Sequence, residues 1–209
     1  MSDDVWDLVR TERRALVADL ATLPAEQWET PSLAQGWTVH DVAGHLVTNA
    51  RVTPFGLVVA MARAKGDFDR QNDAGVAAGR GDSPAQTLER LRAVTDRRTG
   101  PPTWLAPLES RLVEEVAHGE DIRGAVGISR DYPTAAVVPA IRYQARTKDS
   151  LGGGRSLAER VTLVCEDADL RLGDGPELRG SALALLMVLT GRRHALESLH
   201  GPGLALLDP

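Results

Sequence analysis

Apolar residues recur every three or four positions in four long stretches of the chain before residue 125. This period is typical of amphipathic α-helices. Short connections between such helices favour their packing against one another as a bundle. The pattern therefore predicts a mainly α fold that begins with a four-helix bundle. The predicted helices cover residues 3–23, 38–65, 83–98 and 108–124.

The second helix has the clearest start signal. Thr38 is followed three residues later by Asp41, the spacing of a capping box. Apolar residues then continue at helical spacing to about Lys65, with a kink expected at Pro54 because proline removes a backbone donor. The polar, glycine-containing segment 66–82 is predicted to be a loop, with at most a short helix near residues 72–78.

The pattern changes character after residue 128. Residues 161–165 are β-branched and strand-like, and residues 170–172 alternate ahead of the turn at 173–176. Ser181 then precedes a strongly apolar helix that Gly191 ends. We therefore expect two domains, a helical bundle over residues 1–128 and a small α+β segment over residues 129–209.

Composition and charge exclude several classes of partner. Apolar residues make up 43% of the chain and charged residues 25%, as in soluble globular proteins. The net charge of -5 argues against nucleic acid and against an anionic membrane surface. No apolar run is long enough for a membrane span, and the polar first residues do not resemble a signal peptide. With Cys165 as the single cysteine, no intrachain disulfide can form, and we expect a cytoplasmic protein.

One group of residues has the spacing of a metal site. Glu114 and His118 are four residues apart on the fourth predicted helix, so their side chains leave the same face. His45 lies among apolar residues of the second helix and should face the bundle interior, where helical bundles build metal sites. Spacing alone leaves open a surface Glu–His contact and a structural core histidine. Glu115 and Glu120 are alternatives to Glu114.

Other chemically versatile residues are weaker candidates. Cys165 on a predicted strand should be buried and inert, and His40 should meet solvent near the start of its helix. We expect Trp28 and Trp37 to pack over the first helical turn rather than to bind substrate. Asn72 and Asp73 are expected to lie in the loop above the site, more as helix caps than as cofactor contacts. Contact with substrate is the alternative role for Trp28 and Trp37, and contact with cofactor is the alternative for Asn72 and Asp73.

Two segments resemble a known family. Residues 28–46 (WETPSLAQGWTVHDVAGHL) and residues 118–123 (HGEDIR) resemble the mycothiol-dependent maleylpyruvate isomerases, part of the DinB-like superfamily of metal-binding four-helix bundles. The resemblance implies that His45, Glu114 and His118 bind a divalent metal, with zinc expected. Nickel and iron also suit this donor set. It further implies that open coordination positions receive water and the thiol of mycothiol.

The same resemblance extends to the C-terminal segment. Residues 175–192 are similar to the small sterol-carrier-like α+β domain of these proteins, which supplies an arginine for a carboxylate-bearing substrate. Arg192 is the best match, and Arg179 and Arg193 are alternatives. An arginine at a helix end more commonly caps carbonyl groups or meets solvent.

Three hypotheses of function follow. The first is a mycothiol-dependent enzyme that activates a thiol for addition to, or isomerisation of, a small electrophile. The second is a metallohydrolase that uses the same metal to activate water. The third is a non-enzymatic protein whose apolar segment 183–189 carries a hydrophobic ligand. The substrate and the oligomeric state are left open by the sequence.

Overall fold

The computed structural model describes residues 2–207 of the chain. They divide into two compact units, Met1–Arg130 and Asp131–Pro209. The first unit is helical, and a short 3-10 turn, Ala25–Glu29, joins its first two helices. Its helices are α1 (Ser2–Leu20), α2 (Val39–Asn49), α3 (Pro54–Arg63), α4 (Phe68–Gly79), α5 (Pro84–Arg92) and α6 (Ser110–Val126).

Four of these helices form the predicted bundle. Both α1 and α2 pack against α5 and against α6, so the four helices enclose one core, and α4 lies along α2. The mainly α fold class is thereby confirmed. The core is made of apolar side chains removed from water, which is the main stabilising contribution of such a bundle. Its largest members include Leu16, Leu20, Trp28, Leu46, Leu91 and Ile122.

The second predicted helix is wrong in its length. Helix α2 ends at Asn49, and α3 begins at Pro54 as a separate helix. The Thr53 hydroxyl accepts a hydrogen bond from the Gly56 N–H, so Thr53 caps a new start with proline at the first position. Proline therefore marks a helix start here and not a kink.

The predicted loop over residues 66–82 is also wrong, because most of it is helix α4. Asp67 caps this helix by accepting a hydrogen bond from the Arg70 N–H. The glycines in it serve close helix packing: a Cβ on Gly79 would lie 2.0 Å from the Gly44 carbonyl oxygen of α2. Glycine thus permits the contact of the two backbones, which sequence alone does not distinguish from loop glycine.

The second unit combines helices with a small sheet. Strands β1 (Thr162–Cys165), β2 (Arg171–Leu172) and β3 (Glu177–Gly180) lie in the order β2-β1-β3, and β1 runs antiparallel to β2 and parallel to β3. The predicted strand at 161–165 and helix after Ser181 are confirmed. The helices are α7 (Thr134–Gln144), α8 (Arg155–Ala158) and α9 (Ala182–Leu189). Helix α7 was not predicted; it contains Pro139, a residue that breaks most helical patterns.

Helix α3 is apolar and nevertheless exposed. None of its residues is buried, and Phe55 and Val58 are 78% and 67% exposed. Its ten residues are fewer than a bilayer crossing requires. Among residues 2–207 there is no helix with both the length and the apolar character of a membrane span.

Candidate metal centre

The structure brings the three predicted ligands together between α2 and α6. His45 projects from α2, and Glu114 and His118 project from the same face of α6. The Glu114 Oε2 atom lies 3.2 Å from Nε2 of His45 and 3.6 Å from Nε2 of His118. One ligand atom from each residue can be chosen so that all lie within 4.8 Å of one another.

This donor set fits a divalent metal ion. In a tetrahedral zinc site with metal–ligand distances near 2.0–2.2 Å, neighbouring ligand atoms are about 3.3 Å apart. The two distances to Glu114 Oε2, 3.2 and 3.6 Å, are of this size. Two imidazole nitrogens and one carboxylate would occupy three positions of the tetrahedron, and the fourth would be open to an exogenous ligand.

The electrostatics of the cluster keep Glu114 ionised, and burial opposes a positive charge on His118. Burial opposes ionisation of Glu114, but the hydrogen bond from His45 and the attraction of the two imidazoles and Arg111 outweigh it and hold the Glu114 pKa well below its usual range. Burial lowers the pKa of His118, although Asp121 acts in the opposite direction. An ionised carboxylate and a neutral imidazole are the forms that bind a metal.

Asp121 fixes the orientation of the His118 ring. The Nδ1 atom of His118 lies 2.9 Å from the Asp121 carboxylate, which is completely buried. Since a carboxylate accepts a hydrogen bond, the Nδ1 atom of His118 carries the proton, and Nε2 is free of a proton and able to bind a metal. The Asp121 carbonyl also accepts the Leu33 N–H, which ties the loop before α2 to α6.

Asn49 and Arg111 also belong to the site, although the sequence did not predict them. The Asn49 side-chain amide donates to Glu114 Oε2, and its carbonyl oxygen accepts from the Arg111 guanidinium. Because arginine only donates and a carboxylate only accepts, the amide has one orientation, with its nitrogen toward Glu114. Asn49 follows His45 by four residues and Arg111 precedes Glu114 by three, so helical spacing could have identified both.

The two tryptophans of the motif have different environments. Trp37 packs against the candidate metal centre, with ring centroids 5.0 Å from His45 and 6.1 Å from His118. Trp28 is buried in the bundle core and meets His40 edge to face at 5.4 Å. Of the two, only Trp37 therefore covers the predicted site.

The expectation that His40 meets solvent is wrong. His40 is 1% exposed, with Nδ1 3.1 Å from Glu29 and Nε2 2.7 Å from the Thr87 hydroxyl. The Thr87 hydroxyl accepts the Gly81 N–H, so its own proton can be donated to His40 Nε2. Burial lowers the His40 pKa, and the bond to Glu29 opposes this shift. Thr87 lies in α5, so a helix distant in sequence from α2 contributes to the burial of His40.

The alternatives to Glu114 lie outside the ligand cluster. Glu115 forms a buried ion pair with Arg13 at 2.7 Å. Burial raises the Glu115 pKa, and the attraction of Arg13 acts against the rise. Glu120 lies two residues beyond His118 on α6. Among the described residues, the cluster that could hold a metal ion contains His45, Glu114 and His118 but not Glu120.

The C-terminal candidates all lie in the unit Asp131–Pro209. Arg192 donates to the Thr190 carbonyl at 2.7 Å, at the start of a 3-10 turn. Arg179 on β3 pairs with Glu177 at 2.6 Å, and Arg193 donates to the Leu207 carbonyl at 3.2 Å. A substrate-binding role for Arg192 stays a prediction. Cys165 is buried as expected, and burial raises its pKa to about 11, which makes the thiol inert.

Asn72 and Asp73 lie within α4, so the expectation that they cap a helix is wrong; Asp67 has that role. Asp73 lines a cleft that also contains Trp37 and Asp41. Asn72 is not among the residues that line this cleft.

Comparison with known proteins gives three kinds of similarity. The family model of the mycothiol maleylpyruvate isomerase N-terminal domain matches residues 9–123. Uncharacterized proteins from two strains of Mycobacterium tuberculosis are 33% identical over 147 residues, which is 58% of this chain and 56% of theirs. The chain thus spans about half the length of the curated relatives it matches.

Two solved structures share the fold. One is the mycothiol-dependent maleylpyruvate isomerase, with a TM-score of 0.64 and 19% identity, and the other is a histidine-to-alanine mutant of that enzyme, with a TM-score of 0.65 and 16% identity. Both comparisons cover 97% of this chain and 93% of the other. At such identities the similarity concerns the fold.

Proposed function

This chain belongs to the family of the mycothiol maleylpyruvate isomerase N-terminal domain, and on that premise we propose that it is a metal-dependent enzyme that activates a thiol. The thiol is mycothiol, and the reaction is addition to, or isomerisation of, a small electrophile. The metal is zinc, held by His45, Glu114 and His118 in a domain that spans residues 1–128.

One observation carries the proposal: the convergence of two imidazoles and one carboxylate from two facing helices, with their ligand atoms within 4.8 Å. Three protein ligands leave a coordination position for an exogenous ligand, which is the arrangement of catalytic zinc. A bound zinc ion would hold a thiol as its nucleophilic thiolate at neutral pH.

The residues of the chain have distinct roles in this proposal. His45 and His118 each present Nε2 to the metal, and Asp121 keeps the proton of His118 on Nδ1. Glu114 supplies one negative charge, and the Asn49 amide donates to its carboxylate and so orients it. The Trp37 ring packs on both imidazoles and excludes water from that side of the site.

The electrophile would be a small molecule with a carboxylate. Its recognition is assigned to Arg192, since a guanidinium binds a carboxylate through paired hydrogen bonds. After addition of the thiolate to an activated double bond, rotation about the resulting single bond and elimination of the thiol would give the isomer. In this proposal residues 129–209 form the domain that carries Arg192.

The contacts favour a thiol over water as the nucleophile. A metallohydrolase needs a nearby base to accept the proton of the attacking water. The two carboxylates near the ligands on α6 already have partners: Glu115 forms an ion pair with Arg13, and Asp121 accepts a hydrogen bond from His118. A thiol has an ordinary pKa of about 8.5, far below that of water, so it would lose its proton to solvent on binding the metal with less need of such a base.

Elemental analysis together with a cobalt replacement tests the proposal. We expect about one zinc ion per chain, and in the cobalt form a sulfur-to-cobalt charge-transfer absorption when mycothiol is added. His45→Ala should lose both the metal and the absorption, because it removes one of three protein ligands. His194→Ala, a change at an exposed histidine, is the matched control and should lose neither.

Two results would contradict the proposal. One is a cobalt form whose spectrum mycothiol does not change, and the other is full thiol-dependent activity in His45→Ala after metal removal. Hydrolysis of esters or amides in the absence of thiol would instead favour the metallohydrolase.

A further inference from the structure

A cavity of about 290 Å³ lies where the first turns of α1 and α6 approach each other. The segment that joins α5 to α6 forms its third wall. Its lining includes Trp6, Arg98, Pro101, Ala106, Leu108 and Arg111. No member of the candidate ligand cluster lines this cavity in the described part of the chain, so it is a separate place in the molecule.

Arg111 is the group in this cavity whose charge lacks a partner of opposite sign. The residue is 6% exposed, and its guanidinium donates to the side chains of Asn49 and, at 3.5 Å, Ser110. Both partners are neutral, and no carboxylate of residues 2–207 lies within 4 Å to form an ion pair with Arg111. A buried charge is costly unless an opposite charge accompanies it. A bound anion would supply that charge.

Glu114 does not fill this role, because its carboxylate is engaged elsewhere. Arg111 reaches it only through the Asn49 amide, whose oxygen accepts from Arg111 and whose nitrogen donates to Glu114. Burial opposes ionisation of Glu114, and His45 and His118 contribute more to its low pKa than Arg111 does. The cavity is thus one hydrogen-bonded amide away from a candidate metal ligand, while the Arg111 charge stays available to a ligand of its own.

A second guanidinium lines the same cavity. The Arg98 side chain is 49% exposed and pairs with Asp7 at 3.6 Å, whereas Asp7 lies closer, at 2.8 Å, to Arg10. The Asp7 carboxylate is therefore shared between two arginines. Among the described residues that line the cavity, none is acidic. The cavity consequently presents two positive groups to a ligand.

The remaining wall is largely apolar and is fastened to the bundle. Thr99, at the start of the segment between α5 and α6, donates its hydroxyl to the Ala50 carbonyl at the end of α2. A few charged groups beside an apolar wall, in place before any ligand arrives, are typical of small-molecule sites. The apolar part of this wall consists of Trp6, Pro101, Ala106 and Leu108.

We propose that this cavity binds a small organic acid, with its carboxylate held by Arg111 and Arg98 and its apolar body against Trp6. A guanidinium binds a carboxylate through paired hydrogen bonds. A cavity of about 150 Å³ is enough for benzene, so this one has room for an aromatic ring with a carboxylate. The inference goes beyond the proposed function, because it needs neither the metal nor the thiol.

Calorimetric titration of the purified full chain with benzoate tests the inference, and benzamide is the neutral compound of the same shape. We expect benzoate to bind at least about tenfold more tightly, because hydrogen bonds from arginine to a charged group are the stronger ones. Inorganic phosphate should bind more weakly than benzoate, since it has no apolar surface to bury against the wall. Equal affinities for benzoate and benzamide would overturn the inference, and so would the absence of benzoate binding at millimolar concentration.

Nuclear magnetic resonance locates the bound acid. The chain contains four tryptophans and therefore gives four indole N–H signals, of which Trp6→Phe identifies one. Benzoate should shift the Trp6 signal and leave the signal of Trp37, whose ring packs on His45 and His118. A shift of the Trp37 signal alone would place the acid at the candidate metal centre and would refute the proposed site.

Substitution of the two arginines tests their roles. Arg98→Ala should weaken benzoate binding by about threefold to tenfold, and Arg111→Met by at least about tenfold. Arg97→Ala is the matched control for Arg98, because Arg97 is the adjacent exposed arginine and does not line the cavity. It should change the affinity by less than about twofold, as expected for an exposed charge.

Ala106→Phe keeps the test decisive if Arg111→Met does not fold. It fills the cavity without removing a charge and should abolish benzoate binding. Thermal unfolding of each variant verifies that it is folded. Unchanged benzoate affinity in both Arg98→Ala and Ala106→Phe would overturn the inference.

Discussion

Glu114 and Glu115 are neighbours on α6, yet their carboxylates have different partners: Glu114 lies beside two histidines, and Glu115 is paired with an arginine. Glu114 meets two imidazoles and an amide, and its pKa is held low. Glu115 meets a single guanidinium, that of Arg13, and burial raises its pKa. The comparison shows that burial alone does not mark a functional carboxylate. What distinguishes Glu114 is the convergence of several ligand atoms on one of its oxygens.

The Arg13–Glu115 pair is a buried structural contact. Both side chains are almost fully buried, and Arg13 also donates to the Arg97 carbonyl at 2.8 Å. The pair joins α1 to α6 and to the segment that follows α5, and neither member belongs to the candidate ligand cluster. Its role is therefore to specify how the helices of the bundle pack.

The largest expected effect comes from breaking this pair. Glu115→Ala leaves the Arg13 charge buried without its partner, which should lower the free energy of unfolding by about 3–5 kcal/mol. Urea denaturation of the metal-free chain measures this loss. Zinc affinity at low temperature, where the variant is folded, should stay near that of the wild type.

Simultaneous replacement, Arg13→Met with Glu115→Leu, should recover much of this stability, since no charge is then left alone. A double variant as unstable as Glu115→Ala would show that the instability comes from packing and not from the unpaired charge.

A smaller effect is expected on the other side of α6. Asp121→Asn disturbs the orientation of the His118 ring, and loss of such a carboxylate partner weakens metal binding by about 10–100-fold. Competition with a chromophoric chelator measures the zinc affinity. Asp96→Asn, a change in an exposed pair with Arg14, is the control and should have no effect. Equal zinc affinities for Asp121→Asn and the wild type would refute the assigned role of Asp121.

The smallest effect concerns His40, which belongs to neither cluster. Its folded-state pKa lies below the ordinary value of about 6.5, so at lower pH the unfolded chain takes up a proton that the folded chain excludes. Stability should therefore decline as the pH falls through about 6.5, and more steeply in the wild type than in His40→Gln.

Denaturation midpoints at pH 7.5 and 5.5 measure the difference, with His194→Gln as the exposed control. The buried His45 and the half-buried His118 are present in all three proteins, so they do not affect the comparison. Parallel pH dependences in His40→Gln and the wild type would contradict the expectation.

The candidate metal ligands could be proposed from sequence because they lie on regular helices. The spacing of Glu114 and His118 fixes a shared face in any helix, and the apolar neighbours of His45 predict its direction. Arg111 and Asn49 obey the same spacing but carry no motif of their own. Only the packing of α2 against α6 shows that the two side chains meet.

The errors of the sequence analysis concern segments in which tertiary packing outweighs local preference. Residues 68–79 are rich in small and polar residues, and the sequence predicts a loop because glycine disfavours an isolated helix. In the structure the same glycines let α4 approach α2 at backbone distance. His40, which local sequence would leave in solvent, is likewise buried by distant residues, the Trp28 ring and the Thr87 hydroxyl of α5.

The sequence by itself determined the helical periodicity, the helix starts at Thr38 and Ser83, the apolar helix after Ser181 and the shared helix face of Glu114 and His118, because each depends on neighbours within a few residues. The tertiary structure decided which carboxylate of α6 meets the two histidines, and that a cleft opens beside them. Those outcomes depend on helix faces that approach from distant parts of the chain, and no local pattern encodes that approach.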